Sequence, residues 1–203
     1  MLKVRIAVLV SGGGTNLQAL IDARDQGLLP EGELALVVSS SPTAYALKRA
    51  EAAGIPCACL SKKELGGQEA FEKALAELLE REGIELIILA GFMSILGPDI
   101  ISRYERRIIN IHPSLIPSFC GKGFYGLKVH EAALGYGVKV TGATVHYVNE
   151  IPDGGEIILQ KPVYVQPGDS PETLQRRVME EAEWIILPQA AGQVCREILK
   201  KRS

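Results

Sequence analysis

Asn110 and His112 stand two residues apart near the end of an apolar run, Ile108-Ile109-Asn110-Ile111-His112-Pro113. Its β-branched residues read as a buried strand. On a strand, positions i and i+2 share a face, so the amide and the imidazole point the same way. Pro113 has no N–H to give a ladder and should end the strand. In open parallel sheets, ligands bind at the carboxyl ends of strands. There an Asn can donate to a developing oxyanion, and a His can move a proton near neutral pH. A core His and Asn satisfied by local backbone fit the same residues, so the rest of the chain must decide.

Two further stretches bear on the choice. Ser11-Gly12-Gly13-Gly14-Thr15-Asn16 follows a strand-like run and precedes Leu17, Leu20 and Ile21 at helical spacing. Glycines let backbone approach a phosphate, and free N–H groups at a helix start point towards it. The stretch lacks the Lys-Ser/Thr of a Walker loop and the third glycine of a dinucleotide fingerprint, so a tight turn without a ligand fits equally well. Asp153 precedes Gly154 and Gly155 in a polar turn. An Asp there is usually a turn residue. Folded back over His112, its carboxylate would fix the ring's orientation and favour the imidazolium.

The elements that must position these groups follow from the pattern. The chain has 203 residues, enough for a substantial core. Hydrophobic residues make up 47% and charged residues 23%, an ordinary balance for a soluble globular protein. A net charge of −2 gives no reason to expect nucleic acid, and no apolar run approaches a membrane span. Residues 6–10 are too short for a signal segment, so the expected location is the cytoplasm. Cys57, Cys59, Cys120 and Cys195 are scattered, and no zinc set or other metal site is expected.

Strands are expected at 4–10, 34–38, 57–60, 86–89 and 108–112, alternating with helices at 17–21 and beyond, 45–53, 68–82 and 98–104. Alternation of this kind argues a parallel sheet covered on both faces. After 112 the character changes. Residues 116–126 are rich in Gly and Pro and read as a mobile loop. A helix at 127–134 leads to two long runs, 138–148 and 157–165, joined by a polar turn, which suggests an antiparallel hairpin. Asp169-Ser170-Pro171-Glu172 caps a last helix from Thr173, and Pro188 should kink or divide it. The expected architecture is one α/β domain, 1–203, with a Rossmann-like mixed sheet. Its first half, 1–106, would bind a mononucleotide, and its second half, 107–203, would carry catalysis.

Taken together, Asn110-Ile-His112-Pro-Ser-Leu, Thr144-Val-His-Tyr-Val, Asp153-Gly-Gly and Ile157-Ile-Leu-Gln160 resemble the folate-dependent formyltransferases. Ser11-Gly-Gly-Gly-Thr-Asn16 and Leu89-Ala-Gly-Phe-Met93 narrow the resemblance to the branch that formylates glycinamide ribonucleotide in purine synthesis. The resemblance implies formyl transfer from 10-formyltetrahydrofolate to a primary amine, with no metal. By position it implies that Asn110, His112 and Asp153 are catalytic. Gly14, Thr15, Asn16, Asn110 and Glu183 would meet the ribonucleotide. Gln68, Met93, Ser94, Ile95, Leu96, Asn149, Glu150, Ile151, Pro152 and Asp153 would line the folate site. The assembly would be a monomer or a homodimer.

Some positions depart from that pattern. Ser94 and Gln68 stand where some members carry basic residues that reach the folate's glutamate tail. Lys128 stands where some have a second His, and the loop at 119–125 is longer than in the shorter members. Rival readings remain. A tRNA formyltransferase would need a further nucleic-acid domain and basic charge. A formyltetrahydrofolate hydrolase would carry a regulatory domain before the first strand. Sugar-nucleotide formyltransferases lack this glycine turn. A non-catalytic nucleotide-binding module would use only residues 11–16.

Overall fold

The computed structural model describes residues 3–202. β1 (Val4–Val10), β2 (Gly32–Ser39), β3 (Cys57–Cys59), β4 (Leu86–Leu89), β5 (Ile108–His112), β6 (Val140–Tyr147) and β7 (Ile157–Tyr164) form one sheet in the order β3-β2-β1-β4-β5-β6-β7. The first five strands pair parallel, and β5–β6 and β6–β7 pair antiparallel. The mixed sheet read from the sequence is therefore present, with the change of direction at β5.

The helices are α1 (Thr15–Asp25), α2 (Tyr45–Ala52), α3 (Gln68–Arg81), α4 (Pro98–Arg103), α5 (Leu127–Tyr136), α6 (Pro171–Val178) and α7 (Trp184–Lys200). β1 shows why both faces need covering. Val4, Ile6, Val8 and Val10 point into one core with Leu17, Leu20, Leu174, Leu187 and Val194. Ala7 and Leu9 point into the other with Phe71, Leu75 and Leu79 of α3 and Ile100 of α4. This period of two is what a strand buried on both faces requires. Leu75 is fully buried, and Leu75→Ala would cost about 2–5 kcal/mol.

The chain's last third departs from expectation in two places. Within the expected capping stretch Ser170 is the cap, and the helix starts two residues before Thr173: the Ser170 hydroxyl accepts from the Thr173 N–H, and the Thr173 side chain accepts from the Ser170 N–H. Helix α6 thus begins at Pro171, which suits the first turn because its missing N–H has no acceptor there. Asp169 is instead gripped by Arg177 through two bonds, at 2.5 and 2.6 Å. That guanidinium holds its carboxyl down at about 2. The helical run is divided, but ahead of Pro188: a π-helical turn at Met179–Glu183 joins α6 to α7, and Pro188 lies inside α7. Pro188, the fifth residue of α7, has no N–H to give the Trp184 carbonyl, so the helix tolerates one lost bond just after the π turn.

Candidate active site

Ile109 and Ile111 enter the core shared with α1 and α7, so Asn110 and His112 face the other side of β5. Antiparallel pairing sets His146 opposite Asn110 and Thr144 opposite His112, making a polar square on that face. The Thr144 hydroxyl donates to the Ser114 carbonyl at 2.6 Å and accepts from the Ile116 N–H at 3.1 Å. It thereby pins the base of the loop that follows β5.

Asp153 does fold back over His112. Its Oδ2 lies 3.5 Å from His112 Nδ1 and accepts the Gly121 N–H at 2.8 Å. Its Oδ1 lies 3.4 Å from Asn110 Nδ2 and 3.5 Å from His146 Nε2. Asp153 adopts φ +54°, a left-handed conformation that Asp tolerates better than most residues. On the far side of the ring, His112 Nε2 donates to the Phe119 carbonyl at 2.9 Å. The glycine-rich loop is therefore tied across the site by its backbone.

The electrostatics correct one expectation. Burial pushes the His112 pKa down, and the negative Asp153 and the Phe119 carbonyl oppose this without overcoming it. Asp153 favours the imidazolium, but with His112 only 4% exposed the desolvation is larger. Burial also pushes the Asp153 carboxyl up, yet the His146 hydrogen bond, the His112 charge and the Gly121 N–H together bring it below the usual range.

At the glycine turn, Gly14 has φ +73°, and a Cβ there would lie 2.6 Å from Ala46 Cβ. Only glycine fits, because α2 packs directly on the turn. The Gly12 and Gly13 carbonyls are taken by the Ala46 N–H and Arg49 Nε. The first N–H groups of α1 have no helical acceptor and remain for an anion. Asn16 Nδ2 donates to Glu183 Oε2 at 2.6 Å, and the π turn aims that carboxylate inward. Burial pushes the Glu183 carboxyl up to about 7, partly offset by Asn16.

A cavity of about 630 Å³ opens nearby, lined among others by Gln68, Met93, Ser94, Ile95, Leu96 and Glu150. The Met93 N–H donates to Ser11 Oγ at 2.9 Å, which ties this segment to the glycine turn. Asn149, Ile151 and Pro152 do not line the cavity. Asn149 instead braces its own turn, accepting the Ile151 N–H at 2.9 Å and donating to the Gly154 carbonyl. Among the described residues, no group of three or more His, Cys, Asp or Glu side chains is arranged to hold a metal ion.

Three residues at the site escaped sequence reasoning. His146 carries a period-two signal with Thr144, but its partner across the sheet is visible only from the register. Arg49 donates to the glycine turn from a different helix and has no local signature. His130, on α5, is fully buried with neither ring nitrogen bonded to a partner. Burial first, and the His112 charge second, push its pKa down to about 4.

Residues 4–191 match the family described as formyl transferase. The chain belongs to that family. This member is 41% identical over 184 residues to the phosphoribosylglycinamide formyltransferase of Haemophilus influenzae, covering 91% of this chain and 84% of that protein. It is 45% identical over 188 residues to the trifunctional purine biosynthetic protein adenosine-3 of Gallus gallus, covering 93% of this chain. The matched stretch is only 18% of that longer relative. Its fold superposes on the crystal structure of glycinamide ribonucleotide transformylase 1 from Symbiobacterium toebii with a TM-score of 0.89. That pair is 41% identical, over 96% of this chain and 89% of that one. No helix among the described residues is long and apolar enough to cross a membrane.

Proposed function

We propose that this formyl transferase moves the formyl group of 10-formyltetrahydrofolate to the amine of glycinamide ribonucleotide, giving formylglycinamide ribonucleotide and tetrahydrofolate. The observation that carries the reading is that Asp153 closes over Asn110 and His112 at the carboxyl end of β5, the same end of the sheet from which the glycine turn follows β1 and the 93–96 segment follows β4. The amine attacks the formyl carbon, and a tetrahedral oxyanion forms. The bond from that carbon to the folate nitrogen then breaks, the folate nitrogen takes a proton, and the amine loses one. No covalent enzyme intermediate is required.

His112 has the central part. Its Nε2–H, held by the Phe119 carbonyl in the resting site, is the donor that the oxyanion takes over. Asp153, at Nδ1, sets the ring's orientation and stabilises the imidazolium as it forms. Because burial lowers its pKa, the ring once charged gives up its Nε2 proton readily to the leaving folate nitrogen, while the proton lost by the amine leaves to water. Gly14, Thr15, Asn16 and Arg49 hold the phosphate, and Glu183 meets the sugar side of the ribonucleotide. Gln68, Met93, Ser94, Ile95, Leu96 and Glu150 line the cavity for the folate, and Asn149, Ile151 and Pro152, outside that lining, flank it in the turn that carries Glu150.

Residues 1–203 act as one catalytic domain, with 1–106 holding the mononucleotide and 107–203 supplying catalysis and the folate site. The protein works in the cytoplasm as a monomer or homodimer. The test is a formyl-transfer assay with both substrates, following tetrahydrofolate and the formylated amide. Release of formate without the amide, or no turnover, overturns the reading.

A further inference from the structure

The cavity assigned to the folate owes one wall to residues 93–97, in the irregular link between β4 and α4. Leu96 is buried, but Met93 is 58% exposed and Ile95 77%, so most of the link is not held by its own side chains. Its backbone is held from α3 instead. Gln68 Nε2 donates to the Ile95 carbonyl at 2.9 Å. The second hydrogen of the same amide goes to Glu72 Oε1, one helical turn further along α3. Turning the Gln68 amide over would set its oxygen against a carbonyl and a carboxylate, so the two contacts fix its orientation. Gln68 thus spends both hydrogens on the protein, and Glu72 decides where the amide points. The Glu72 carboxylate is seated in turn against Gly97, which is buried at the end of the link. A Cβ built on Gly97 would fall on both oxygens of that carboxylate. Gly97 has φ −80°, which any residue adopts, so glycine is required there for room and not for its backbone.

We propose that Glu72 is a positioning residue for the folate. It clamps the 93–97 link at two points, directly at Gly97 and through Gln68 at Ile95, and so fixes the wall on which the folate packs. The proposal rests on the formyl-transfer reading above, which puts the folate in this cavity. The link has no strand ladder of its own. A loose wall must be ordered when the ligand binds, and that ordering is subtracted from the affinity. A wall fixed beforehand escapes the cost. The contacts of Glu72 lie on α3 and the link, apart from Asn110, His112 and Asp153. Its loss should therefore act on folate affinity and spare the chemical step.

The test compares the wild type with Glu72→Ala, Glu72→Gln, Gly97→Ala and the double variant Glu72→Ala/Gly97→Ala. Calorimetry measures the binding of tetrahydrofolate and of glycinamide ribonucleotide, and kcat is taken with both substrates saturating. Glu72→Ala should weaken tetrahydrofolate at least tenfold, with ribonucleotide affinity within twofold of wild type and kcat within threefold. Glu72→Gln keeps an acceptor oxygen for Gln68 and should recover most of that loss. Gly97→Ala should weaken tetrahydrofolate to a similar extent, because its methyl group displaces the carboxylate from its seat. In the Glu72→Ala background that methyl group has room, so Gly97→Ala should cost less than a further twofold. Tetrahydrofolate affinity within twofold of wild type in Glu72→Ala, an equal cost of Gly97→Ala in both backgrounds, or equal loss of both ligands overturns the proposal. Hydrogen exchange of the free protein reads the clamp without a ligand. The amides of residues 94–97 should exchange at least tenfold faster in Glu72→Ala than in wild type, and unchanged exchange overturns the clamp. A wild type that binds no tetrahydrofolate refutes the functional reading instead, and hydrogen exchange still decides the clamp.

Discussion

Two buried groups should oppose each other in the pH dependence of stability. His130 is pushed down to about 4 by burial and by His112, against about 6.5 in an unfolded chain. Between those values the unfolded chain holds a proton that the folded protein refuses. Stability contributed here therefore falls as pH falls, by about 1.4 kcal/mol per unit and about 3 kcal/mol in all. Glu183 has the opposite sign. Its folded carboxyl is pushed up to about 7, against 4.5 for an ordinary Glu. Between those values the folded protein holds a proton that the unfolded chain has lost, so stability falls as pH rises, with about the same slope. Across pH 4.5 to 6.5 the two slopes cancel, and removing either group exposes the other. His130→Leu should tilt the curve towards higher stability in acid by about 3 kcal/mol over that range, relative to wild type. Glu183→Gln should tilt it the other way by a similar amount. His130→Leu also removes two unbonded buried nitrogens and raises stability at every pH, so the slope is diagnostic and the level is not. Urea unfolding at pH 4.5, 5.5 and 6.5, followed by the single tryptophan, measures all three proteins. Parallel curves would refute the argument, since they would mean that neither group changes its proton affinity on folding.

Other outcomes follow from the site. Asp153→Asn keeps the left-handed backbone, which Asn also tolerates, but removes the charge beside His112. It should lower kcat by about 100-fold or more, leave both substrate affinities within a few fold, and move the limb of the pH–rate profile that reports His112 to lower pH. A kcat near wild type would make Asp153 a turn residue only. Gly14→Val drives a side chain into Ala46 and should weaken ribonucleotide binding far more than folate binding; equal loss of both, by calorimetry, would indicate misfolding. The loop at 119–126 must release His112 Nε2 before an oxyanion can take its place. Its amide hydrogen exchange should change at least tenfold between the free protein and the protein with both ligands, and identical exchange would rule out a lid.

Asn110 and His112 were legible because they break an apolar strand where a proline ends it, and two-residue spacing fixes their common face without tertiary information. Asp153 was legible as a turn residue that would gain a role only if its turn folded back over His112, and the resemblance gave the reason to expect that fold-back. The structure then showed the turn folding back on the ring. The direction of the His112 shift was misjudged because charge proximity can be guessed from sequence and burial cannot. His146 was out of reach for a different reason. Its place beside Asn110 and Asp153 depends on the β5–β6 register, which leaves no compositional trace. Glu183 faces Asn16 because a π turn precedes α7, and the obvious breaker in that stretch, Pro188, drew the expected division to the wrong residue.

The change of strand direction at β5 explains why a site of this kind can form on a sheet face. A parallel crossover would lay a helix over that face, as α3 and α4 do over β1 and β4. A helix satisfies its own backbone and has little to offer a buried imidazole and carboxylate. The antiparallel β6–β7 turn needs no crossover helix, so a loop and a turn cover β5 and β6 instead. A loop has backbone groups to lend. The Phe119 carbonyl and Gly121 N–H satisfy His112 and Asp153 while no substrate is present. A buried polar group without a partner costs about 1–3 kcal/mol. The covering loop therefore lets the resting protein keep His112 and Asp153 buried at little cost, and it can surrender those same bonds to a ligand that replaces them.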